Sequence, residues 1–66
     1  MIREGQIYRS EKENVLMCIT KINNNSTYNY ILNNGFTGYG CYAIEQKPIA
    51  EYPTWQEAVN SKEFKE

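Results

Sequence analysis

The alternating run that ends in Asn34-Gly35 constrains the fold of this chain more than any other feature of its sequence. Residues 26–32 (STYNYIL) alternate so that an extended strand would have two distinct faces: Tyr28, Tyr30 and Leu32 on one, and Thr27, Asn29 and Ile31 on the other. Asn34 and Gly35 both accept the left-handed conformation that a two-residue type I′ turn requires. The sequence therefore predicts a β-hairpin with Asn34-Gly35 at its turn.

Further strands are predicted on both sides of this hairpin. Residues 5–9 (GQIYR) predict a short first strand, and the nearly continuous apolar run 15–22 (VLMCITKI) predicts a central strand that is buried on both faces along part of its length. Residues 10–14 form a polar connection between them. The asparagines at 23–25 are typical of a turn, because Asn tolerates positive φ and caps its own backbone.

The second half of the hairpin, residues 36–42 (FTGYGCY), contains two glycines inside a strand pattern. Interior glycines usually mark a bulge, a bend or the close approach of another backbone, so we expect the sheet to coil at Gly38 and Gly40. The following segment, 43–52, is extended but contains Pro48, which favours an edge strand or a kinked crossing.

A helix start follows at Pro53-Thr54. Thr54 suits the N-cap position, and Glu57 three residues later can complete a capping box. The helix is predicted over 54–61, with Phe64 packing in after it. Four side chains fall on its inward stripe: Trp55, Ala58, Val59 and Lys62.

Strands that come first, a helix that comes last and short connections together predict one mainly β (α+β) domain over residues 1–66. We expect an antiparallel meander of four or five strands. It would form either a small curved sheet or an open barrel of the Src-homology-3-like or Tudor-like type, with one C-terminal helix.

The composition argues against catalysis and against a metal site. The chain contains neither His nor Asp, which removes Ser-His-Asp and Cys-His arrangements and His-based zinc sites. Cys18 and Cys41 are too few for a structural zinc site, and we expect both to be reduced and buried. We therefore predict no enzymatic activity, no catalytic residues and no cofactor.

Charge and hydropathy limit the classes of binding partner and the cellular compartment that we expect for this chain. Seven Lys or Arg residues against eight Glu give a net charge of −1, without a basic cluster that would neutralise phosphates. The longest apolar run, 15–19, is too short to cross a bilayer, and the first residues do not resemble a signal peptide. We expect a cytoplasmic protein with no membrane contact, and nucleic acid is not the favoured partner.

Aromatic side chains supply the candidate binding residues. Tyrosine is common at the energetic centres of protein interfaces, and we predict partner binding by a set centred on the residue between the two strand glycines: Tyr39, Tyr42, Tyr28 and Tyr30. Core packing of these rings is the competing interpretation. A second alternative is stacking of a base on a ring with a phosphate held by nearby cations, for which the candidates are Arg9, Lys21 and Lys47. A third is symmetric dimerisation at an exposed sheet edge.

The C-terminal stretch IAEYPTWQEAVNSKEF (Ile49 to Phe64) resembles the ending of short accessory proteins carried by phages and prophages of Gram-positive bacteria. The segments Gly5-Gln6-Ile7-Tyr8 and Asn34-Gly35-Phe36 are compatible with that group. The resemblance implies a context rather than an activity: small accessory phage proteins commonly bind and block a host or defence protein, or sequester a signalling nucleotide. We expect a non-enzymatic binding module of this kind, with nucleic-acid or nucleotide binding and self-association as the alternatives.

Overall fold

The computed structural model of the chain describes residues 2–9, 15–24, 27–40 and 47–65. Within these ranges it contains five strands and two short helices: β1 Gln6–Arg9, β2 Leu16–Asn24, β3 Thr27–Leu32, β4 Thr37–Gly40, β5 Ala50–Glu51, α1 Trp55–Val59 and α2 Lys62–Lys65. The strands form one antiparallel sheet of order β4-β3-β2-β1-β5. The predicted mainly β domain is confirmed. It is an open sheet followed by short helices, because β4 and β5 lie at opposite edges and do not pair to close a barrel.

The first four strands follow one another across the sheet as the predicted meander, and β5 departs from it. β5 lies beside β1, where Glu51 is the partner of Gln6 and Ala50 is the partner of Ile7. The strand is two residues long and pairs on one side only, which confirms the edge position that Pro48 predicted.

The helices cover one face of the sheet, here called the helix face. Ile7, Cys18 and Ile31 are cross-strand neighbours and therefore point to the same side. This face carries a buried cluster with partly buried neighbours: Ile7, Leu16, Cys18, Ala58 and Phe64, packed by Ile31, Ala50, Tyr52, Trp55 and Val59. The predicted inward packing of Trp55 and Phe64 is confirmed.

The helical region begins as predicted but does not run unbroken to residue 61. The Thr54 side chain accepts a hydrogen bond from the backbone N–H of Glu57 at 3.3 Å, as an N-cap residue does. α1 ends at Val59 because Asn60 and Ser61 satisfy the last carbonyls: Asn60 Nδ2 donates to the Gln56 carbonyl, and the Ser61 hydroxyl donates to that of Ala58. α2 then starts as a separate short turn.

A second core lies on the opposite face of the sheet, here called the tyrosine face. Tyr8, Ile19 and Tyr28 are buried there, and Ile2, Met17 and Tyr30 pack against them. β2 contributes Cys18 to one core and Ile19 to the other, and both are fully buried. This confirms the prediction of a central strand buried on both faces along part of its length, since residues 21–24 are exposed.

β2 runs two residues beyond its predicted end, and its pairing with β3 contains two irregularities. The pairing with β3 shifts between Ile19 and Lys21 and again between Ile22 and Asn24, so Thr20 and Asn23 are extra residues of the bulge type. The predicted Asn turn is wrong for Asn23 and Asn24, which belong to the strand. Asn25 lies outside the described residues.

The hairpin between β3 and β4 is confirmed, but its loop has three residues instead of two. The N–H of Leu32 donates to the Phe36 carbonyl at 2.7 Å, and the N–H of Gly35 donates to the Leu32 carbonyl at 2.9 Å. Gly35 has a φ of +98°. A type I turn followed by a left-handed glycine is the usual form of a three-residue hairpin loop. Leu32 therefore pairs with Phe36.

Candidate functional site

The two glycines of β4 accommodate tyrosine rings that reach across from β3. Tyr30 is the cross-strand partner of Gly38, and Tyr28 is the partner of Gly40. A Cβ atom on either glycine would overlap the ring of its partner. The pairing of β3 with β4 continues without a register shift through both glycines, so of the features that interior glycines usually mark, a bulge is absent at these positions. The close approach needed here is that of side chains to the β4 backbone.

Tyr28 and Tyr30 consequently belong mainly to the interior. Tyr28 is 7% exposed and lies in the core of the tyrosine face, whereas Tyr30 is half-buried beside it. Their ring centroids lie 6.2 Å apart with an interplanar angle of 48°. Such tilted pairs add to the stability gained from burial. The two rings hold β4 in place from one side.

Tyr39 points to the other side of β4 and is 64% exposed. Its cross-strand partner is Asn29, which in turn pairs with Lys21 on β2, and Thr37 precedes it on the same face. All four residues are exposed. We call this set (Lys21, Asn29, Thr37 and Tyr39) the Tyr39 patch. It lies on the same side of the sheet as the helices, and α1 packs against β1 and β2.

The structure separates the three described members of the predicted partner-binding set. Tyr39 lies on one face of the sheet, while Tyr28 and Tyr30 lie on the other. Tyr42 lies outside the described residues. The predicted tyrosine set is therefore not a continuous surface, and Tyr39 is the described member with most of its ring in solvent. Of the other residues in the patch, Lys21 was predicted only as a phosphate-binding cation, and Asn29 and Thr37 were not predicted as site residues, because the register that brings them beside Tyr39 depends on the length of the hairpin loop.

The three cations considered for phosphate binding do not all share one place. Arg9 pairs with Leu16 at one end of the β1–β2 ladder. Lys21 lies five residues beyond Leu16 on β2, so it is roughly 16 Å from that end at the usual rise per strand residue. Lys47 precedes β5. All three are exposed. Of these cations, Lys21 belongs to the Tyr39 patch.

A polar network occupies the opposite end of the tyrosine face, next to β5. The buried Gln6 accepts hydrogen bonds at Oε1 from the Tyr8 hydroxyl at 2.7 Å and from the Arg3 backbone N–H at 2.8 Å. The Glu51 carboxylate forms an ion pair with Arg3 at 3.1 Å. Burial raises the pKa of Tyr8 above 10.0, and the negative charge of Glu51 raises it further.

A cleft of about 520 Å³ adjoins this network and is lined by Arg3, Glu4, Glu51, Tyr52 and Pro53. Its charged groups are already engaged within the chain: Arg3 binds Glu51, and Glu4 Oε2 accepts the Trp55 N–H at 3.1 Å. Because these contacts stabilise the fold and the helix start, the cleft does not present convergent unpaired groups to a ligand. We assign it a structural role.

The one cysteine among the described residues is buried and free. Burial, together with the charge of Glu4, raises the pKa of the Cys18 thiol from 9.0 to about 11. A thiol in such surroundings is a poor nucleophile, because the thiolate is the reactive form. Cys41 lies outside the described ranges.

Comparison of the chain with protein-family models, with curated proteins and with solved structures finds no match. Neither described helix has the length and apolar character needed to span a bilayer. In the described ranges, no three Cys or Glu side chains are grouped so that they could hold a metal ion.

Proposed function

We propose that this chain is a non-enzymatic protein-binding module that contacts its partner through the Tyr39 patch. The observation that carries the proposal is the 64% exposure of the Tyr39 side chain on a strand whose other face is packed. Tyrosine offers a large, rigid contact area and a hydroxyl group, and for this reason it is enriched among residues that dominate binding energies.

The way in which β4 is held in the sheet supports this function. β4 pairs with β3 through four consecutive residue pairs, and the rings of Tyr28 and Tyr30 pack against its other side. A side chain that is presented from a strand fixed in this way loses less freedom on binding than one on a loop. The neighbouring Thr37 and Asn29 are short and polar, so a partner can reach the ring of Tyr39.

The class of partner that we propose is a host or defence protein, bound and blocked by a phage-encoded inhibitor in the host cytoplasm. This part of the proposal rests on the resemblance of Ile49 to Phe64 to accessory proteins of phages and prophages. The patch has one cation, Lys21, beside three uncharged residues, which suits a protein surface better than a polyphosphate.

The experiment is affinity capture from a Gram-positive host lysate with the wild-type chain, with Tyr39→Ser and with Phe36→Ser. Phe36 is the matched control because it is another exposed ring, 70% in solvent, that lies outside the patch. A partner captured by the wild type should be lost with Tyr39→Ser, about 30-fold weaker as expected for an interface hot spot, and retained with Phe36→Ser. Equal capture by all three proteins would contradict the role of the patch.

A salt titration of the captured complex separates this function from the nucleic-acid alternative. Phosphate contacts weaken steeply with salt because counterions are released, whereas an interface centred on a tyrosine ring responds weakly. Binding of labelled single strands or cyclic nucleotides that is lost at moderate salt, and that requires Lys21, would favour the alternative and contradict the proposal.

A further inference from the structure

β4 has an outer edge that no other described strand covers. β4 (Thr37–Gly40) is the last strand of the described sheet and pairs with β3 on one side. A strand in this position presents unpaired backbone groups to solvent, which are a template for another strand.

The hydrogen-bond pattern identifies which groups face outward. In an antiparallel pair, hydrogen-bonded residue pairs alternate with non-hydrogen-bonded ones. Leu32 and Phe36 are a hydrogen-bonded pair, and the register then continues through Ile31↔Thr37 and Tyr30↔Gly38 without a shift. Gly38 and Gly40 therefore direct their N–H and C=O groups toward β3. Thr37 and Tyr39 direct theirs away from the sheet.

We propose that a second copy of this chain pairs with the outer edge of β4 in an antiparallel, two-fold symmetric arrangement centred on Gly38. In this register Thr37 lies opposite the partner's Tyr39, and Tyr39 lies opposite the partner's Thr37. Both residues then exchange N–H and C=O groups with the other copy, so that four backbone hydrogen bonds form and every outward group of the two residues is satisfied. The two sheets become one.

A second copy suits this edge because the strand is complementary to itself. The two Gly38 residues face each other across the two-fold axis as a non-hydrogen-bonded pair, in which the Cα atoms are only about 4.5 Å apart. Glycine suits this close approach because it carries no side chain. Each Thr37 would pack beside a Tyr39 ring, which places a short side chain against a large one. The strand carries no charge, so two copies do not repel each other there.

The two-fold axis is perpendicular to the sheet, so both copies keep the same face on the same side. The two Tyr39 residues become diagonal neighbours about 7–8 Å apart, close enough for their rings to interact. Two Tyr39 patches thus join into one surface. Because a four-residue strand buries much less area than a stable interface of about 1,200–2,000 Å², we expect a dimer that dissociates on dilution.

The test is sedimentation equilibrium over a concentration series into the millimolar range, with the wild type, Thr37→Pro and Thr37→Val. Proline at residue 37 removes an outward N–H without touching a bond to β3, whereas valine keeps that N–H and the branched shape. Thr37→Pro loses two of the four hydrogen bonds, so its dimer dissociation constant should rise about tenfold or more, while that of Thr37→Val should stay near the wild-type value. A wild type that is monomeric throughout, or a dimer unaffected by Thr37→Pro, would overturn the proposal.

A direct measurement on the unaltered chain removes any dependence on the folding of the proline variant. In a mixture of isotope-labelled and unlabelled chains, the proposed register gives an intermolecular nuclear Overhauser contact between the Hα atoms of Gly38 and of the partner's Gly38. Contacts that place another residue opposite Gly38 would contradict it. Failure of this dimer and failure of the proposed function are distinguishable, because sedimentation and the Gly38 contact are measured on the purified chain with no partner present, whereas capture is scored by the partner that is retained.

Discussion

The two edges of the sheet are built in opposite ways. The β5 edge is two residues long, lies between Pro48 and Pro53, and carries Glu51 in an ion pair with Arg3. Charges, prolines and short length are the devices by which proteins block unwanted strand pairing. The β4 edge (Thr37–Gly40) has neither charge nor proline. The contrast indicates that the β5 edge resists further pairing, whereas no charge or proline within the described β4 strand opposes it.

The edges also differ in how glycine fixes them to the sheet. At the β5 edge, Gly5 has a φ of +90° and its Cα lies against the backbone carbonyl of Tyr52. The Tyr52 N–H donates to the Gly5 carbonyl at 3.1 Å. At the β4 edge, Gly38 and Gly40 lie against flexible aromatic side chains. A backbone carbonyl can move aside less easily than the end of a side chain. A Cβ atom added at Gly5 should therefore destabilise the fold more than one added at Gly38 or Gly40.

The largest expected effect is that of Gly5→Ala, which should lower the free energy of unfolding by about 3 kcal/mol or more, since backbone strain and a backbone clash combine. Gly35→Ala is the control: its φ is +98°, but nothing lies within 4 Å of the added Cβ. It should cost about 1 kcal/mol from strain alone. Urea denaturation of both variants measures the difference. Equal losses would show that the contact with Tyr52 is unimportant.

Gly40→Ala should be next, with a loss of about 1–3 kcal/mol from overpacking. Gly38→Ala should cost less, because the ring that it displaces belongs to half-buried Tyr30, while Gly40 faces buried Tyr28. Thermal unfolding of the two variants checks the order. A larger loss for Gly38→Ala would mean that Tyr30 is held more firmly than its exposure indicates.

Tyr8→Phe should cost about 1 kcal/mol at neutral pH, because the hydroxyl donates a buried hydrogen bond to Gln6. The pKa of Tyr8 is raised above 10.0, so the folded state favours the neutral phenol. This contribution is present below pH 10 and is lost as the pH rises through the raised pKa. Stability measured from pH 8 upward should therefore fall less steeply in Tyr8→Phe than in the wild type.

Cys18 titrates in the same alkaline range, so the comparison is repeated in a Cys18→Ala background. The pKa of its thiol is raised from 9.0 to about 11, and its contribution is lost as the pH rises between these values. A Tyr8→Phe variant whose alkaline profile matches that of its parent in both backgrounds would contradict the role given to the phenol.

The smallest effect should come from Arg3→Ala at the β5 edge. Both partners of the ion pair are more than half exposed, and exposed pairs contribute about 0–1 kcal/mol. The fold should survive with nearly unchanged thermal stability, but the edge loses a charge. Sedimentation of this variant at high concentration tests the comparison of the edges: the dimer should still form through β4. New association that persists in a double variant with Thr37→Pro would show that the ion pair protects the β5 edge.

The sequence predicted those elements whose signals are local. The N-cap at Thr54 and the glycine turn at Gly35 each depend on a few adjacent residues, and both are present. The two-faced burial of the first half of β2 followed from its apolar run, because consecutive apolar residues place apolar side chains on both faces of a strand. The edge position of β5 followed from Pro48.

Features that depend on long-range contacts were not predictable in the same way. Asn34-Gly35 signals a hairpin but does not fix the length of its loop. In the observed register Tyr30 lies opposite Gly38, whereas with a two-residue loop Tyr30 would lie opposite Tyr39. The glycines of β4 look like bend positions until the rings of Tyr28 and Tyr30 are placed over them. The Tyr39 patch was therefore predicted only in part: Tyr39 was named as a partner-binding residue and Lys21 as a phosphate-binding alternative, whereas their common surface is defined by the register across three strands.

The extra residue at Thr20 gives the sheet a tolerance for changes in length. Ile19 pairs with Tyr30 and Lys21 pairs with Asn29, so Thr20 has no counterpart on β3. Deletion of Thr20 would keep every cross-strand pair in place. It would also flatten the sheet, because bulges increase local twist. Loss of one residue should therefore be accepted more readily at Thr20 than at Gly38. A deletion at Gly38 would reverse the sides on which the tyrosine rings and the exposed Tyr39 lie.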